Sequence, residues 1–381
     1  MDNFKRFAVC IISLIVVASC ICINARAVSQ EALIPQITST SQSAKYANAH
    51  MADVPNIAAK ACVLMDADTG RVLFEKNSDQ RLQMASTTKI MTTLLTIESG
   101  NLDEYFKVDA DAVRVEGSSM GLKTDSIVSK RMLLYGMMLP SGNDAANAAA
   151  VSVAGNMADF VELMNKKADQ LGLENTHFVT PSGLDDYTND HYSTAKDMAN
   201  LTRAALQNDV FKEVCQTRSI KLTSESDEDY WLSNTNRLLS SCEGVIGVKT
   251  GFTDKAGRCL VSACCRDGMT LICVTLCDPN DWYDHTNLYD YGFGLFQSYT
   301  VPGITVKVPC VGGVDEFAQA RSEGCVISIM PGEENELEKT VVMPRFIYLP
   351  MDDGTPIGRV IYKLHGEIVV NNELLLENIK D

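Results

Sequence analysis

Ser86 and Lys89, in the stretch ASTTKIMTTLL from Ala85 to Leu95, stand three residues apart where an apolar helical pattern begins. Residues at i and i+3 share one helix face. The serine hydroxyl therefore lies beside the lysine amine and among the unpaired N–H groups of a helix start, which favour developing negative charge. That pairing is a nucleophile with a base next to it. The plain alternative for Ser86 is a helix N-cap, and S-x-x-K alone is weak, since it recurs at Ser193 and Lys196 in STAK. Lysine acts as a base only when neutral. Its free pKa of about 10.4 must fall by roughly 3 pH units, on the order of 4 kcal/mol, for work near pH 7. Burial and a second nearby cation are the two means, so the sequence should supply another lysine for the same pocket.

It does so in Val245–Gly251 (VIGVKTG), a strand pattern ending in K-T-G, a triplet that occurs once. Lys249 and Thr250 can together hold a carboxylate, and Gly251 lets the backbone approach a ligand closely. Taken alone, Lys249 reads first as a solvated strand-end lysine. A third element is Ser141-Gly142-Asn143, after Pro140 and before an Ala-rich run; taken alone, Ser141 reads as a loop or cap serine. The same letters at Ser99-Gly100-Asn101 close the helix begun near Ser86 and read as a glycine C-cap. Only Ser86 heads the ordered set S-x-x-K, S-x-N, K-T-G, because no S-x-N follows Ser193. The histidines are His50, His177, His191, His285 and His365, and no G-x-S-x-G elbow exists for a hydrolase triad. His177 and His191 lack metal-ligand spacing and read as loop or core residues.

The elements that must hold these groups follow from periodicity. ACVLMDADTGRVLFE reads as a hairpin turning at Asp68-Thr69-Gly70. MLLYGMMLP, NDAANAAAVSVAG, MADFVELMNKKADQLGL and Thr194–Leu206 read as helices, the Ala-rich one tightly packed. GRCLVSACC and MTLICVTLC are strands joined at Arg266-Asp267-Gly268. Strands from both ends of 56–297 with helices between them predict an α+β fold, an antiparallel sheet covered by helices. From about Val301 the pattern is strands punctuated by Pro and Gly, which predicts a small β-rich C-terminal domain over 298–381. Residues 28–55 are rich in Ser, Ala, Gln and Asn and read as a linker.

The N-terminus reads as a signal peptide over 1–27: Lys5 and Arg6, the apolar run Phe7–Ile23, then the A-x-A site Ala25-Arg26-Ala27. An uncleaved anchor, or lipidation at Cys20 within VASC, are the other readings. With 33 Lys and Arg against 49 Asp and Glu, the net charge is -16, and no cationic cluster stands out, which argues against nucleic acid as a partner. Hydrophobic residues at 46% suffice for a substantial core. Cys62, Cys215, Cys242, Cys259, Cys264, Cys265, Cys273, Cys277, Cys310 and Cys325 show no CxxC pair and no zinc-type spacing with histidine. Several read as small buried hydrophobes, although a disulfide is open to a secreted chain.

S-x-x-K, S-x-N and K-T-G in this order resemble the set of penicillin-binding proteins and β-lactamases. The sequence is similar to the low-molecular-mass penicillin-binding D-alanyl-D-alanine carboxypeptidases, a serine peptidase family (S11). MASTTKIMTTLL, MMLPSGNDAANAAA, LGLENTHFVTPSGLDD, HYSTAKDMANLTRAAL, NTNRLL and VIGVKTGFTDKAGRCLVSACCRDG all look like family segments in family order. The resemblance implies the transpeptidase-like fold over 56–297, with Ser86 as nucleophile, Lys89 as its proton acceptor and Ser141 as relay to the departing D-alanine. It implies Asn143, Lys249, Thr250 and Gly251 as substrate-binding residues, and the backbone N–H groups of Ser86 and Phe252 as the oxyanion hole. It also implies stem peptides ending in D-Ala-D-Ala as substrate, β-lactams as covalent inhibitors, no metal or cofactor, and a secreted enzyme at the outer face of the cytoplasmic membrane. Phe252 departs from the polar residue many relatives carry there. The tail NNELLLENIKD is short and acidic, unlike a basic membrane-lying helix, so membrane attachment is expected through the N-terminus. The rival functions are a β-lactamase, with Glu162 and Asn165 as the tempting pair, and a binding module of the envelope without turnover; endopeptidase action on cross-links would use the same site. Arg237 is a further candidate for the groove.

Overall fold

Alternation in the strand β1 (Ala61–Asp66) sends Ala61, Val63 and Met65 to one side and Cys62 and Leu64 to the other, and both sides are buried. Such a strand belongs in the middle of a sheet sandwiched between helices. The computed structural model describes residues 54–185 and 188–377; the expected signal segment and nearly all of the expected linker lie outside them. Strand β1 turns into β2 (Val72–Lys76), and Asp66 Oδ1 accepts the N–H groups of Asp68 and Thr69 at 2.9 and 2.7 Å to shape the turn. A 3-10 turn, Ala85–Thr88, leads into α1 (Lys89–Glu98), which ends at Gly100 with φ 70°. The short strands β3 (Tyr105–Lys107) and β4 (Ile127–Ser129) pair with each other.

The helical middle follows: α2 (Lys130–Met138), the Ala-rich α3 (Asn143–Ala154), α4 (Met157–Gln170), α5 (Ala195–Ala205) and α6 (Asp209–Gln216). Ser129, Asn156, Thr194 and Asn208 accept first-turn N–H groups and cap α2, α4, α5 and α6. A hairpin of β5 (Ser219–Thr223) and β6 (Asp229–Ser233) then precedes β7 (Val245–Thr253), β8 (Gly257–Arg266), β9 (Met269–Leu276) and α7 (Asp281–Leu295). The main sheet is antiparallel in the order β2-β1-β9-β8-β7. One face packs on α1 to α6, while the other packs on α7 through Leu288 and Tyr289. The helix-covered antiparallel sheet expected from the sequence is thus present, built from both ends of the segment. The hairpin β5–β6 comes in addition, because its acidic turn Glu225–Asp229 hides the alternation.

Eight further strands follow: β10 (Gln297–Val301), β11 (Ile304–Val311), β12 (Phe317–Ser322), β13 (Cys325–Ile329), β14 (Glu338–Val342), β15 (Ile347–Tyr348), β16 (Pro356–Leu364) and β17 (Glu367–Glu377). Six of them form a sheet in the order β14-β16-β17-β12-β11-β15, and β10 pairs with β13. They enclose a hydrophobic cluster of their own around Val308, Ile327, Val360 and Leu374. The ten cysteines of the described residues are free. Burial pushes the thiols of Cys62, Cys215, Cys259 and Cys264 up to about 12 and that of Cys273 well above its ordinary value.

One ion pair ties the β1–β2 turn to the C-terminal strands. Arg71 holds Glu333 through Nη1 at 3.0 Å and Nη2 at 2.9 Å, with side chains 13% and 5% exposed. Burial works against the Glu333 carboxylate, but Arg71, the Met330 N–H and His365 outweigh it and hold its pKa below the usual carboxylate range. Removing the cation strands a buried anion. Arg71→Met is expected to cost about 3 kcal/mol and to admit protease between the main sheet and the C-terminal strands. A melting curve and limited proteolysis check this, and an unchanged cleavage pattern would show that the pair does not hold the two together.

Candidate active site

The 3-10 turn Ala85–Thr88 decides how Ser86 is presented. In a 3-10 turn residues i and i+3 eclipse, so Ser86 Oγ meets Lys89 Nζ at 2.8 Å. The cap position before the turn is Met84, with no side-chain cap bond, so Ser86 is not a helix cap. The threonines of STTK stiffen the turn: Thr87 Oγ1 donates to Met84 O at 2.6 Å and Thr88 Oγ1 to Ala85 O at 2.8 Å. His191 supports it from outside. Its Nδ1 accepts the Val179 N–H at 2.9 Å, so Nε2 carries the proton and donates to Thr88 Oγ1 at 2.8 Å. Burial lowers its pKa to about 3, which keeps it a neutral core residue.

Lys89 is fully buried, and its Nζ has two further partners: Asn143 Oδ1 at 2.7 Å and Ser182 O at 2.6 Å. A neutral amine has two N–H donors and one lone pair. The amide and the carbonyl take the two N–H groups, which leaves the lone pair for the Ser86 proton. Burial lowers the Lys89 pKa well below its ordinary value, and the Lys249 charge lowers it further, against a smaller opposing effect of Asp144. The second cation that the sequence required is therefore Lys249. That residue is 1% exposed, donates to Thr250 O at 2.9 Å, and has its own pKa lowered by burial to about 7.

Strand β7 lies against the serine turn. A Cβ on Gly251 would sit 3.1 Å from Ser86 N, Thr87 N and Met84 O, so the absence of a side chain lets K-T-G close on the Ser86 turn. Gly183 does the same for the carbonyl of Ser182: its φ is 90°, and a Cβ there would strike Ala85 O at 2.0 Å. Thr250 Oγ1 pairs with Thr235 Oγ1 at 2.7 Å, and Phe252 is exposed at the rim. Ser141 is 6% exposed with φ 66° at the turn into α3, and its hydroxyl bonds to neither Ser86 nor Lys89.

Thus the structure joins Ser86, Lys89, Asn143, Lys249 and Gly251 around one point and sets Thr250 beside them. Two contributors escaped sequence reasoning. Ser182 acts through a carbonyl, which residue type does not reveal. Thr235 comes from NTNRLL, whose charged Arg237 is the more conspicuous residue; Arg237 is exposed and opens the short helical turn Leu238–Ser241. Glu162 lies exposed on α4, and Asn165 is spent on the Phe178 backbone at 2.9 Å through both Nδ2 and Oδ1. His285, on the buried face of α7, bonds Ser262 and Thr275, with a pKa lowered by burial to about 3. Among the described residues no group of His, Cys, Asp and Glu could hold a metal ion.

The buried Lys249 makes a stability prediction. Its folded pKa of about 7 lies below the value near 10.4 of an unfolded lysine, so the unfolded chain binds the extra proton and stability rises with pH between those values. Below pH 7 the penalty is on the order of 4 kcal/mol. Lys249→Met is expected to melt at a higher temperature than the parent at pH 6 and at nearly the same temperature at pH 10. Equal melting at pH 6 would mean that Lys249 is solvated.

The chain has relatives of known name. Residues 48–280 match the family model of D-alanyl-D-alanine carboxypeptidase, peptidase S11. The D-alanyl-D-alanine carboxypeptidase DacF of Bacillus subtilis is 34% identical over 327 residues, which is 82% of this chain and 84% of that protein. Among solved structures, penicillin-binding protein 5 of Haemophilus influenzae aligns with a TM-score of 0.69 at 29% identity, over 86% of this chain and 98% of that one. A mutant of the Streptomyces K15 DD-transpeptidase aligns with a TM-score of 0.60 at 35% identity, over 64% of this chain and all of its own, 100%. The chain belongs to the S11 family of D-alanyl-D-alanine carboxypeptidases.

Proposed function

We propose that the protein is a serine-type D-alanyl-D-alanine carboxypeptidase that trims the terminal D-alanine from peptidoglycan stem peptides. The observation that carries the reading is the buried contact of Lys89 Nζ with Ser86 Oγ at 2.8 Å beside a second buried lysine. Ser86 Oγ attacks the carbonyl carbon between the two D-alanines, and its proton passes to Lys89 Nζ. The backbone N–H groups of Ser86 and Phe252 hold the oxyanion. Lys249 and Thr250, with Thr235 behind Thr250, hold the terminal carboxylate, and Asn143 steadies Lys89. Ser141 relays the proton to the departing D-alanine amine, and water then releases the acyl chain with Lys89 again as base. The chemistry uses side chains and backbone alone. β-Lactams acylate the same serine.

Residues 56–297 form the catalytic domain in this reading, and residues 298–381 a small β domain with its own hydrophobic cluster. The location is the cell envelope. The basic and apolar N-terminus supports export, with attachment to the membrane, if the segment is retained, through that end; among the described residues no helix is long and apolar enough to cross a membrane. The β-lactamase alternative loses its support where Asn165 is engaged with Phe178 rather than with Ser86.

The first test is D-alanine release from a peptide ending in D-Ala-D-Ala, by the protein from Val28 onward and by its Ser86→Ala form. Release by the parent and a loss of at least about 10³-fold in the variant is expected. No release by a folded parent would favour a binding module, and equal release by both would remove Ser86 from the chemistry. Cross-linked dimers in the same assay measure endopeptidase action.

The two lysines also set the pH dependence. Lys89 must be neutral and Lys249 charged, and Lys89 gives up its proton first because it feels the Lys249 charge in addition to burial. The free enzyme therefore loses its carboxylate anchor as pH rises through about 7. The alkaline limb of kcat/KM is expected near that pH and should be absent from Lys249→Arg, whose guanidinium stays charged. A limb unmoved in that variant would assign it to another group.

A further inference from the structure

The residue after S-G-N is an aspartate that the mechanism does not use. Asp144 is 1% exposed in the first turn of α3, and its carboxylate is saturated with donors. Oδ1 accepts Met120 N at 2.9 Å and Ala145 N at 2.8 Å; Oδ2 accepts Ser119 Oγ at 2.5 Å, Gly121 N at 3.0 Å and Leu122 N at 2.9 Å. An acidic residue placed there only for the helix dipole would need none of the loop. Three consecutive backbone N–H groups from a segment more than twenty residues away are instead gathered on one side chain.

The same segment reaches the catalytic groups. Asn143 N donates to Ser118 O at 2.7 Å and Asn143 Nδ2 to Glu116 O at 2.7 Å. With its NH₂ committed to Glu116 O, the amide can present only Oδ1 to Lys89 Nζ, at 2.7 Å. The glycines fit this arrangement. A Cβ on Gly142 would lie 2.7 Å from Asp144 Oδ1 and 2.9 Å from Met120 N, and one on Gly117, where φ is 86°, would lie 2.9 Å from Asn143 Nδ2. The middle letter of S-G-N is glycine here because the aspartate and the loop close over it.

The geometry points to Asp144 as a positioning residue for the reaction: it pins residues 119–122 to the start of α3, and through the carbonyls of Glu116 and Ser118 this fixes the Asn143 amide that orients Lys89. The inference rests on the carboxypeptidase reading and adds to it a residue that touches neither substrate nor nucleophile. It also makes the loop 116–119, exposed at the mouth of the site, a part whose placement is set by one buried carboxylate.

The test compares the parent, Asp144→Asn, Asn143→Ala and the double variant for D-alanine release and for acylation by a fluorescent penicillin, across pH 5 to 9. Asp144→Asn leaves at least one backbone N–H facing an NH₂ group, so the loop loosens. A 10- to 100-fold loss in kcat/KM is expected, with the loss largely absent when Asn143 is already alanine, because the effect runs through that amide. The acid limb of kcat/KM should also move to lower pH. The charged groups around Lys89 are Lys249 from β7 and Asp144 from α3, with neutral His191 behind Thr88, and only Asp144 favours the ammonium. Tyr230, which faces Asp144, has its pKa raised, mainly by burial, and stays neutral over this range. If Asp144→Asn does not fold by its melting curve, Ser119→Ala removes one of the five donors at an exposed residue and is expected to lose about 3- to 10-fold, again only when Asn143 is present. A folded variant with unchanged kcat/KM and pH profile, or a loss that adds fully to that of Asn143→Ala, overturns the inference. A parent that neither releases D-alanine nor takes up penicillin overturns the carboxypeptidase reading itself.

Discussion

Two buried lysine side chains, Lys89 and Lys249, repel one another, and the rest of the structure is arranged around that repulsion. A single buried ammonium already costs free energy, and two side by side cannot both keep their protons near neutral pH. The fold resolves the conflict asymmetrically. Lys89 is held between Ser86, Asn143 and the Ser182 carbonyl, a set that satisfies it as an amine. Lys249 has one backbone carbonyl and lies on the strand that borders the serine turn. In the proposed mechanism the base and the anion anchor are the same residue type with opposite protonation requirements, separated by environment alone.

That arrangement demands close approach from three directions, and small residues supply it. Gly251 brings β7 against the Ser86 backbone, Gly183 brings the Ser182 carbonyl over the 3-10 turn, and Gly142 lets Asp144 fold back on the loop before α2. Threonine supplies the rigidity that glycine removes: Thr87 and Thr88 close their own turn, and Thr92 Oγ1 reaches Pro181 O at 2.6 Å from the next turn of α1. The main sheet stays rigid beneath because both its faces are covered.

Much of this could be read from the sequence, for physical reasons that differ by residue. Strand alternation and helix periodicity report burial directly, so the hairpin at Asp68–Gly70, the Ala-rich α3 and the turn at Arg266–Gly268 were legible. The pairing of Ser86 with Lys89 follows from spacing, and the demand for a second cation follows from the pKa of a free lysine; together they pointed to Lys249. What stayed hidden depends on long-range backbone contacts. The Ser182 carbonyl, the Thr235 hydroxyl behind Thr250 and the saturated carboxylate of Asp144 are made by chain segments that meet only in the folded state. The 3-10 turn before α1 was not legible either, because a 3-10 turn and an α-helical first turn share the same letters and differ only in which carbonyl each N–H finds.

The free thiols of the sheet and of α6 have a consequence for the life of the molecule. While folded, Cys62, Cys215, Cys259, Cys264 and Cys273 are out of reach of oxidants, because burial suppresses the thiolate that thiol exchange needs. Once the sheet and α6 come apart in an oxidising medium, those sulfurs become available together, with many wrong partners to choose from. Each opening then competes with a chemical trap, so that outside a reducing compartment the persistence of this enzyme is governed by how seldom it unfolds rather than by how favourably it refolds.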